Sequence, residues 1–127
     1  MALAPAPQRL VQKQITVGSA HIVVEVADTE SAREQGLSGR LNLPEGRGML
    51  FVFDGDGAWG IWMKGMRFSI DIVFADSAGT ITSIVASVSP DSYPQTFYPT
   101  APVRYVLELP AGFTATHDIV VGSKIVL

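Results

Sequence analysis

The residues best suited to chemistry lie in one stretch, W-G-I-W-M-K-G-M-R-F-S-I-D-I-V-F-A-D, which runs from Trp59 to Asp76. It holds both tryptophans of the chain together with Lys64, Arg67 and Asp71. A cation beside an aromatic face can orient a carboxylate or a sugar-like ligand, and a carboxyl group can act as a general acid or base. This stretch is therefore the first candidate site.

A second segment, V-R-Y-V-L-E-L, carries matching polar groups. In a strand, Arg104 and Glu108 share one face, because successive side chains alternate between faces. If this strand neighbours the first stretch, the polar groups form one constellation with Trp62 as its wall. The candidate binding residues, which include two tyrosines from the proline-rich residues 90–102, are Trp62, Lys64, Arg67, Asp71, Tyr93, Tyr98, Arg104 and Glu108.

Three explanations fit this constellation. It can frame a pocket for a small molecule or a peptide. It can be an ion-pair network that only holds the fold together, with a buried Asp71 paired to Arg67, Lys64 or Arg104. It can also be the site of a hydrolase that uses Asp71 and Glu108 as general acid and base. The residues alone leave these alternatives open.

Composition excludes several other functions. The chain has no cysteine and two histidines, His21 and His117, so thiolate zinc sites, iron–sulfur clusters and histidine-only metal sites are not expected. The run Asp54 to Gly57 predicts a turn and lacks the later oxygen ligands of a calcium loop. A net charge of -3 without any run of Lys or Arg argues against nucleic-acid binding. No metal or cofactor is predicted.

The elements that must position these residues are mostly strands. A chain of 127 residues fits one domain; we expect a flexible N-terminal arm over residues 1–10 and a single β-barrel-like domain over residues 11–127. Residues 12–17 and 20–27 alternate around Gly18-Ser19 and predict a hairpin. Thr29 followed by E-S-A-R-E-Q-G predicts one short helix that ends at Gly36.

Further strands are predicted at residues 49–53, 59–63, 70–75, 80–88, 105–109 and 122–127, with a helical turn at residues 114–118. The fold class is mainly β, α+β by content: a small antiparallel barrel or a strongly curved sheet of about eight strands with one short helix. Rings of the proline-rich loop, residues 90–102, are predicted to pack near Trp59 or Trp62. The predicted core consists of Val24, Val26, Leu50, Val52, Ile72, Phe74, Leu107 and Leu109.

No apolar run approaches the length of a membrane span, and the opening M-A-L-A-P-A-P-Q has no signal-peptide pattern. An Ala- and Pro-rich start is nevertheless what remains after a signal has been trimmed upstream. A periplasmic or extracellular location after removal of an export signal is therefore expected, with the cytoplasm as the alternative.

Five segments in order resemble a known family: G-L-S-G-R-L-x-L, G-M-L-F-V-F, W-M-K-G-M-R-F-S-I-D-I-V-F, V-R-Y-V-L-E-L-P-A-G and G-S-K-I. The chain resembles the bacterial and archaeal domain of unknown function 192 from about Val24 to its C-terminus. The resemblance implies a small β-rich single domain, often exported or lipid-anchored, without an established activity. It carries the family's W-M-K onto residues 62–64, its later Asp onto Asp71 and its Y-V-L-E onto residues 105–108.

Two positions depart from the family pattern. Gly65-Met66 stands where the family usually has Asn-Thr, and Ser69-Ile70 stands where Pro usually precedes Leu-Asp. Asn and Thr would supply hydrogen bonds at a pocket mouth, so this departure favours a structural role for the polar residues. The first hypothesis remains a non-catalytic extracytoplasmic binding or accessory module, and the hydrolase is its alternative.

Overall fold

The computed structural model of the protein describes residues 9–127. The predicted N-terminal arm, residues 1–10, lies almost entirely outside the described residues. The described elements are, in chain order, β1 (Gln12–Val17), β2 (Ala20–Ala27), α1 (Glu30–Gln35), β3 (Arg47–Gly57), β4 (Ile61–Trp62), β5 (Ile70–Ala75), β6 (Ile81–Val88), a 3₁₀ turn (Pro90–Ser92), β7 (Thr96–Phe97), β8 (Val103–Pro110), α2 (Phe113–Thr116) and β9 (Ile125–Val126).

Seven strands form one curled sheet in the order β6-β5-β8-β3-β2-β1-β9, and β4 pairs with β7 in a separate ribbon. All neighbours in the large sheet are antiparallel except β2 and β3, which are parallel. The predicted fold class, a mainly antiparallel curved sheet with little helix, is confirmed.

The two ends of the curled sheet meet at one corner. The Ile81 N–H donates to the Ser123 carbonyl at 2.9 Å, and the Ile125 N–H donates to the Gly79 carbonyl at 2.8 Å. Gly79 has a φ of +81°, and a Cβ placed there would lie 2.4 Å from the Ile125 carbonyl oxygen. Only glycine allows the backbones to approach this closely in this conformation.

Local signals for the first hairpin and the helix are confirmed. The hairpin turns at Gly18 and Ser19 with Val17 opposite Ala20. Thr29 caps the helix, since its hydroxyl oxygen accepts the Ala32 N–H at 3.1 Å. Gly36 ends it, with an N–H donated to the Ala32 carbonyl at 2.9 Å.

Apolar side chains fill both faces of the central strands. One cluster includes Phe113 of α2 and Ile125 of β9, and the other includes Ala32 of α1 and Met63. All six residues of β5 are buried. The predicted core is confirmed for six of its eight members, while Val26 and Val52 are half-buried. Ile72 and Phe74 belong to the second cluster rather than to the first, because both faces of β5 are covered.

Two predictions around the Asp54 to Gly57 segment are wrong. The segment continues β3 instead of turning, and only Ile61–Trp62 of the predicted return strand is extended, paired with β7. The physical reason is Trp59. Its ring stacks on Phe53 with centroids 4.7 Å apart, and its Nε1 donates to the Gly55 carbonyl at 3.0 Å. The buried area and hydrogen bond of the indole outweigh the turn preference of Asp and Gly.

Candidate functional site

A groove of about 970 Å³ runs between α1 and the segment at residues 59–66. Its walls come from α1, from the later part of β3 and from β4, and its floor is Glu108 of β8. The lining residues used below are Glu30, Arg33, Glu34, Phe53, Asp54, Trp59, Trp62, Lys64 and Glu108.

Glu108 is placed by the register of the sheet. It lies opposite Met49 of β3 on one side and opposite Ile72 of β5 on the other, and both neighbours are fully buried. The glutamate itself is 4% exposed. Within residues 9–127, no hydrogen bond or ion pair reaches its carboxyl group, although buried polar groups are normally hydrogen-bonded. A buried carboxyl group without a protein partner therefore forms the floor of the groove.

Burial changes the chemistry of this carboxyl group. Removal from water disfavours the charged form and raises the pKa of Glu108 from 4.5 to about 8. Near neutral pH most of the population is protonated, so the group can donate one hydrogen bond and accept others. A cation placed beside it would shift the balance toward the carboxylate.

Aromatic rings form the mouth of the groove. Trp62 packs edge-on against Tyr93 with centroids 5.2 Å apart, and the Lys64 Nζ lies 5.5 Å from the centre of the Trp62 ring. Tyr98 packs against Gly60 on the same ribbon. The prediction that the proline-rich loop packs a ring near Trp59 or Trp62 is confirmed by Tyr93.

The charged residues of the groove differ in the contacts that they make with other residues. The Arg33 guanidinium donates to the Val52 carbonyl at 2.9 Å and lies 5.2 Å from the Phe53 ring centre. The rim carboxyl groups of Glu30, Glu34 and Asp54 are exposed, and none forms an ion pair with another described residue. The cations are thus engaged with the walls, whereas the carboxyl groups face the open space.

The structure brings together only part of the predicted constellation. Trp62, Lys64 and Glu108 line one groove, and Tyr93 supports Trp62. Arg67 is exposed outside the groove lining. Arg104 is bonded to the neighbouring strand β3, since its Nε donates to the Phe53 carbonyl at 3.2 Å.

Asp71 is fully buried at a different place. Its Oδ1 accepts the Ser87 N–H at 2.8 Å and the Gly112 N–H at 3.1 Å. Its Oδ2 accepts the Thr114 N–H at 3.0 Å and the Thr114 hydroxyl at 2.7 Å. The alternative in which a buried Asp71 pairs with Arg67, Lys64 or Arg104 is wrong in its partners, because every hydrogen-bond donor to Asp71 among the described residues is neutral. Asp71 instead caps the start of α2 and fixes the end of β6.

Asp71 and Glu108 do not share a cleft. Asp71 lies opposite Leu109 in the β5–β8 register, while Glu108 lies opposite Ile72. Adjacent residues of a strand point to opposite faces, so the two carboxyl groups are separated by the sheet. The geometry required for the hypothetical acid–base pair is absent.

The sequence-based prediction missed the helix side of the groove. Glu30, Arg33 and Glu34 recur at the spacing of one helix face. That signal was available, but nothing in the sequence shows which strand this face packs on. Trp59 was assigned to the wrong local structure for the reason given above. No group of three or more His, Cys, Asp or Glu among the described residues is arranged to hold a metal ion.

Fold and groove together define a class: a curled, half-barrel β domain with a helix-covered groove. The chain belongs to the family DUF192, described as "Uncharacterized ACR", whose model matches residues 13–127. This is a family of unknown function. The suspected family is confirmed.

Two solved structures are similar over nearly the whole chain. One, from Sinorhizobium meliloti 1021, is described as a candidate transcription regulator; it is 30% identical, has a TM-score of 0.89, and the match covers 94% of this chain and 96% of that one. The other is a protein of unknown function from Novosphingobium aromaticivorans DSM 12444, 27% identical, with a TM-score of 0.87 and coverages of 99% and 94%. No curated protein matches the chain. None of the helices in residues 9–127 has the length and hydrophobicity to cross a membrane.

Proposed function

We propose that this protein is a non-catalytic binding module whose small-molecule or peptide ligand occupies the groove between α1 and residues 59–66. The observation that carries the proposal is Glu108, a carboxyl group that is 4% exposed at the floor of an open groove. Among residues 9–127 the Ser83 hydroxyl is the fully enclosed side-chain oxygen without a partner, so the Glu108 oxygens keep contact with the groove. A ligand that enters the groove can therefore bond them directly.

The walls support the same conclusion. Trp59 and Trp62 are both partly exposed at the groove, at 37% and 47%. Large aromatic rings that remain exposed beside a concave surface offer apolar area and directional contacts to a ligand. Tyr93 and the β4–β7 pairing hold Trp62 in place before any ligand arrives, which lowers the entropy lost on binding.

The alternative hydrolase has weaker support. It needs a second titratable group next to Glu108, and the carboxylate oxygens of Asp71 are already saturated on the opposite face. One structural neighbour is described as a candidate transcription regulator. For this chain, with twelve acidic and nine basic residues, nucleic-acid binding finds little support.

The proposal can be tested through the tryptophans, since both tryptophans of the chain line the groove. Intrinsic fluorescence during a screen of metabolites and short peptides should change on binding, and native mass spectrometry should detect a co-purified ligand. Calorimetry with Trp62→Ala should then show weaker binding, whereas Val121→Ala, exposed and outside the groove, should bind normally. A ligand whose affinity is unchanged in Trp62→Ala would contradict the proposal.

Export remains a further prediction. We propose a periplasmic or extracellular location, supported by the resemblance of the motifs to a family that is often exported. Fractionation of cells that express the natural gene would test it: recovery with cytoplasmic markers would favour the alternative location.

A further inference from the structure

We propose that the ligand of the groove carries a cationic group, an ammonium or a guanidinium, which forms an ion pair with Glu108. This inference rests on the proposed function and deepens it by naming the chemical class of the ligand. Three independent observations support it: the charge of the groove, the state of its aromatic rings and the environment of Glu108.

The groove has an excess of carboxyl groups. Glu30, Glu34, Asp54 and Glu108 line it, against Arg33 and Lys64 as the cations. Both cations already have local partners, since Arg33 donates to the Val52 carbonyl and Lys64 lies over Trp62. Even with Glu108 protonated, the three rim carboxyl groups outnumber the two cations, so the charge of the groove favours a cationic ligand over an anionic one.

The aromatic rings of the groove already attract cations. The Arg33 guanidinium lies 5.2 Å from the Phe53 ring centre, and the Lys64 ammonium lies 5.5 Å from that of Trp62. Both distances are within the range of cation–π attraction. Trp59 stacks on Phe53, is 37% exposed and has no cation of the described residues over its ring, so it is the aromatic surface of the groove that is open to a cationic ligand.

Glu108 completes the site. Its strand neighbours Met49 and Ile72 provide no polar partner. Along the same row of the sheet, Glu25 is already paired with Arg40 and is not available as a competing acceptor. A buried carboxylate is stable only when it is paired, and a charged hydrogen bond is stronger than a neutral one. A cationic group is thus the partner that gains most from this position.

The ion pair predicts a link between binding and proton release. With the pKa of Glu108 raised to about 8 by burial, roughly one-tenth of free molecules hold a carboxylate at pH 7 and about nine-tenths at pH 9. The other charged groups that face the groove are Glu30, Arg33 and Glu34 from α1, Asp54 from β3, and Lys64. The apparent affinity for a cation should therefore rise roughly ten-fold between pH 7 and pH 9.

The experiment compares ligands of the same shape and different charge. N-acetyl-argininamide keeps its charge throughout this pH range, and N-acetyl-citrullinamide is its neutral counterpart. Calorimetry at pH 7 in buffers of different ionisation enthalpy should show binding of the arginine compound with release of nearly one proton. The citrulline compound should bind at least ten-fold more weakly. Agmatine and short arginine peptides, as further probes, distinguish a free amine ligand from a peptide side chain.

Two variants then show whether Glu108 causes the proton release and the pH dependence of binding. Glu108→Gln should abolish the proton release and the pH dependence, while Glu45→Gln, at an exposed glutamate outside the groove lining, should keep both. Equal binding of the charged and neutral compounds, absence of binding by any cationic probe, or affinity that does not change with pH would overturn the inference. A neutral ligand that binds the parent protein and binds Trp62→Ala more weakly would support the proposed function. It would refute only the inference that the ligand is cationic. Cation binding that is unchanged in both Trp62→Ala and Glu108→Gln would refute the proposed binding groove as well as the inferred ligand class.

Discussion

Asp71 and Glu108 lie on neighbouring strands of one sheet, and their carboxyl groups point to its opposite faces. Both are buried, yet their environments differ completely. Four donated hydrogen bonds reach Asp71, and none from the described residues reaches Glu108. One acid is therefore a structural element that joins β5, β6 and α2, and the other faces the open groove.

The first prediction concerns the structural role of Asp71. Asp71→Ala leaves the Ser87, Gly112 and Thr114 N–H groups without their acceptor, and unsatisfied buried donors are costly. We expect a loss of about 3–5 kcal/mol from a total stability of roughly 5–15 kcal/mol. The melting temperature should fall by roughly 10–20 °C.

Asp56→Ala is a suitable control for this substitution, because Asp56 is exposed. Its melting temperature should stay close to that of the parent protein. A fall of less than about two degrees in Asp71→Ala would refute the structural role of Asp71.

The second prediction concerns pH and stability. The unfolded chain holds Glu108 at its ordinary pKa of 4.5, while burial raises the pKa in the folded state to about 8. Between these two values the folded state binds more protons than the unfolded state. The contribution of this group to the free energy of unfolding therefore falls as pH rises, by about 1.4 kcal/mol per pH unit within that window.

Glu108→Gln removes the titrating group and keeps the shape of the side chain. We expect this variant to be more stable than the parent at pH 8, with a flatter profile in urea titrations from pH 5 to pH 8. Glu34→Gln, at the exposed rim, should follow the parent profile. Parallel profiles for Glu108→Gln and the parent would show that the glutamate is not desolvated.

The accuracy of the sequence-based prediction depended on the range of the interactions. The hairpin at Gly18 and the helix capped by Thr29 were predicted within a residue, because turn and cap preferences act between near neighbours. The extension of β3 through Gly57 was missed, because it depends on how Trp59 folds back on Phe53. Composition favours a turn there, and side-chain packing overrides it.

The prediction of the candidate site was likewise correct for some residues and wrong for those whose position depends on the whole fold. Trp62, Lys64 and Glu108 were predicted to share a site, and the structure places all three on one groove. Asp71 was assigned to the same constellation, since the face of each residue depends on a register that the sequence does not specify. The contribution of α1 was also missed. It depends on which strands the helix packs against, which is a property of the whole topology.

The third prediction concerns the corner where the ends of the sheet meet. Gly79→Ala would place a Cβ 2.4 Å from the Ile125 carbonyl oxygen. This oxygen belongs to the backbone and cannot rotate away as the end of a side chain can. Gly39 has nearly the same φ, +80° against +81°, but open space around it. Gly39→Ala should therefore cost only the backbone term, about 1–2 kcal/mol, and Gly79→Ala should cost clearly more. Equal losses in chemical denaturation would mean that the corner contact does not contribute.

The last prediction links the β4–β7 ribbon to the groove. A Cβ on Gly60 would lie 2.6 Å from the Thr96 Cγ2 and 2.6 Å from the Tyr98 ring. Tyr98 is exposed and can rotate away, but Thr96 is β-branched and paired with Trp62 in the ribbon. Gly60→Ala should therefore displace Trp62, cost about 1–3 kcal/mol of stability, and weaken ligand binding by more than Gly55→Ala, a matched control with no neighbouring atom near its added Cβ. Titration of both variants with N-acetyl-argininamide, monitored by tryptophan fluorescence, measures this difference. Unchanged affinity in Gly60→Ala would show that the position of Trp62 does not determine binding.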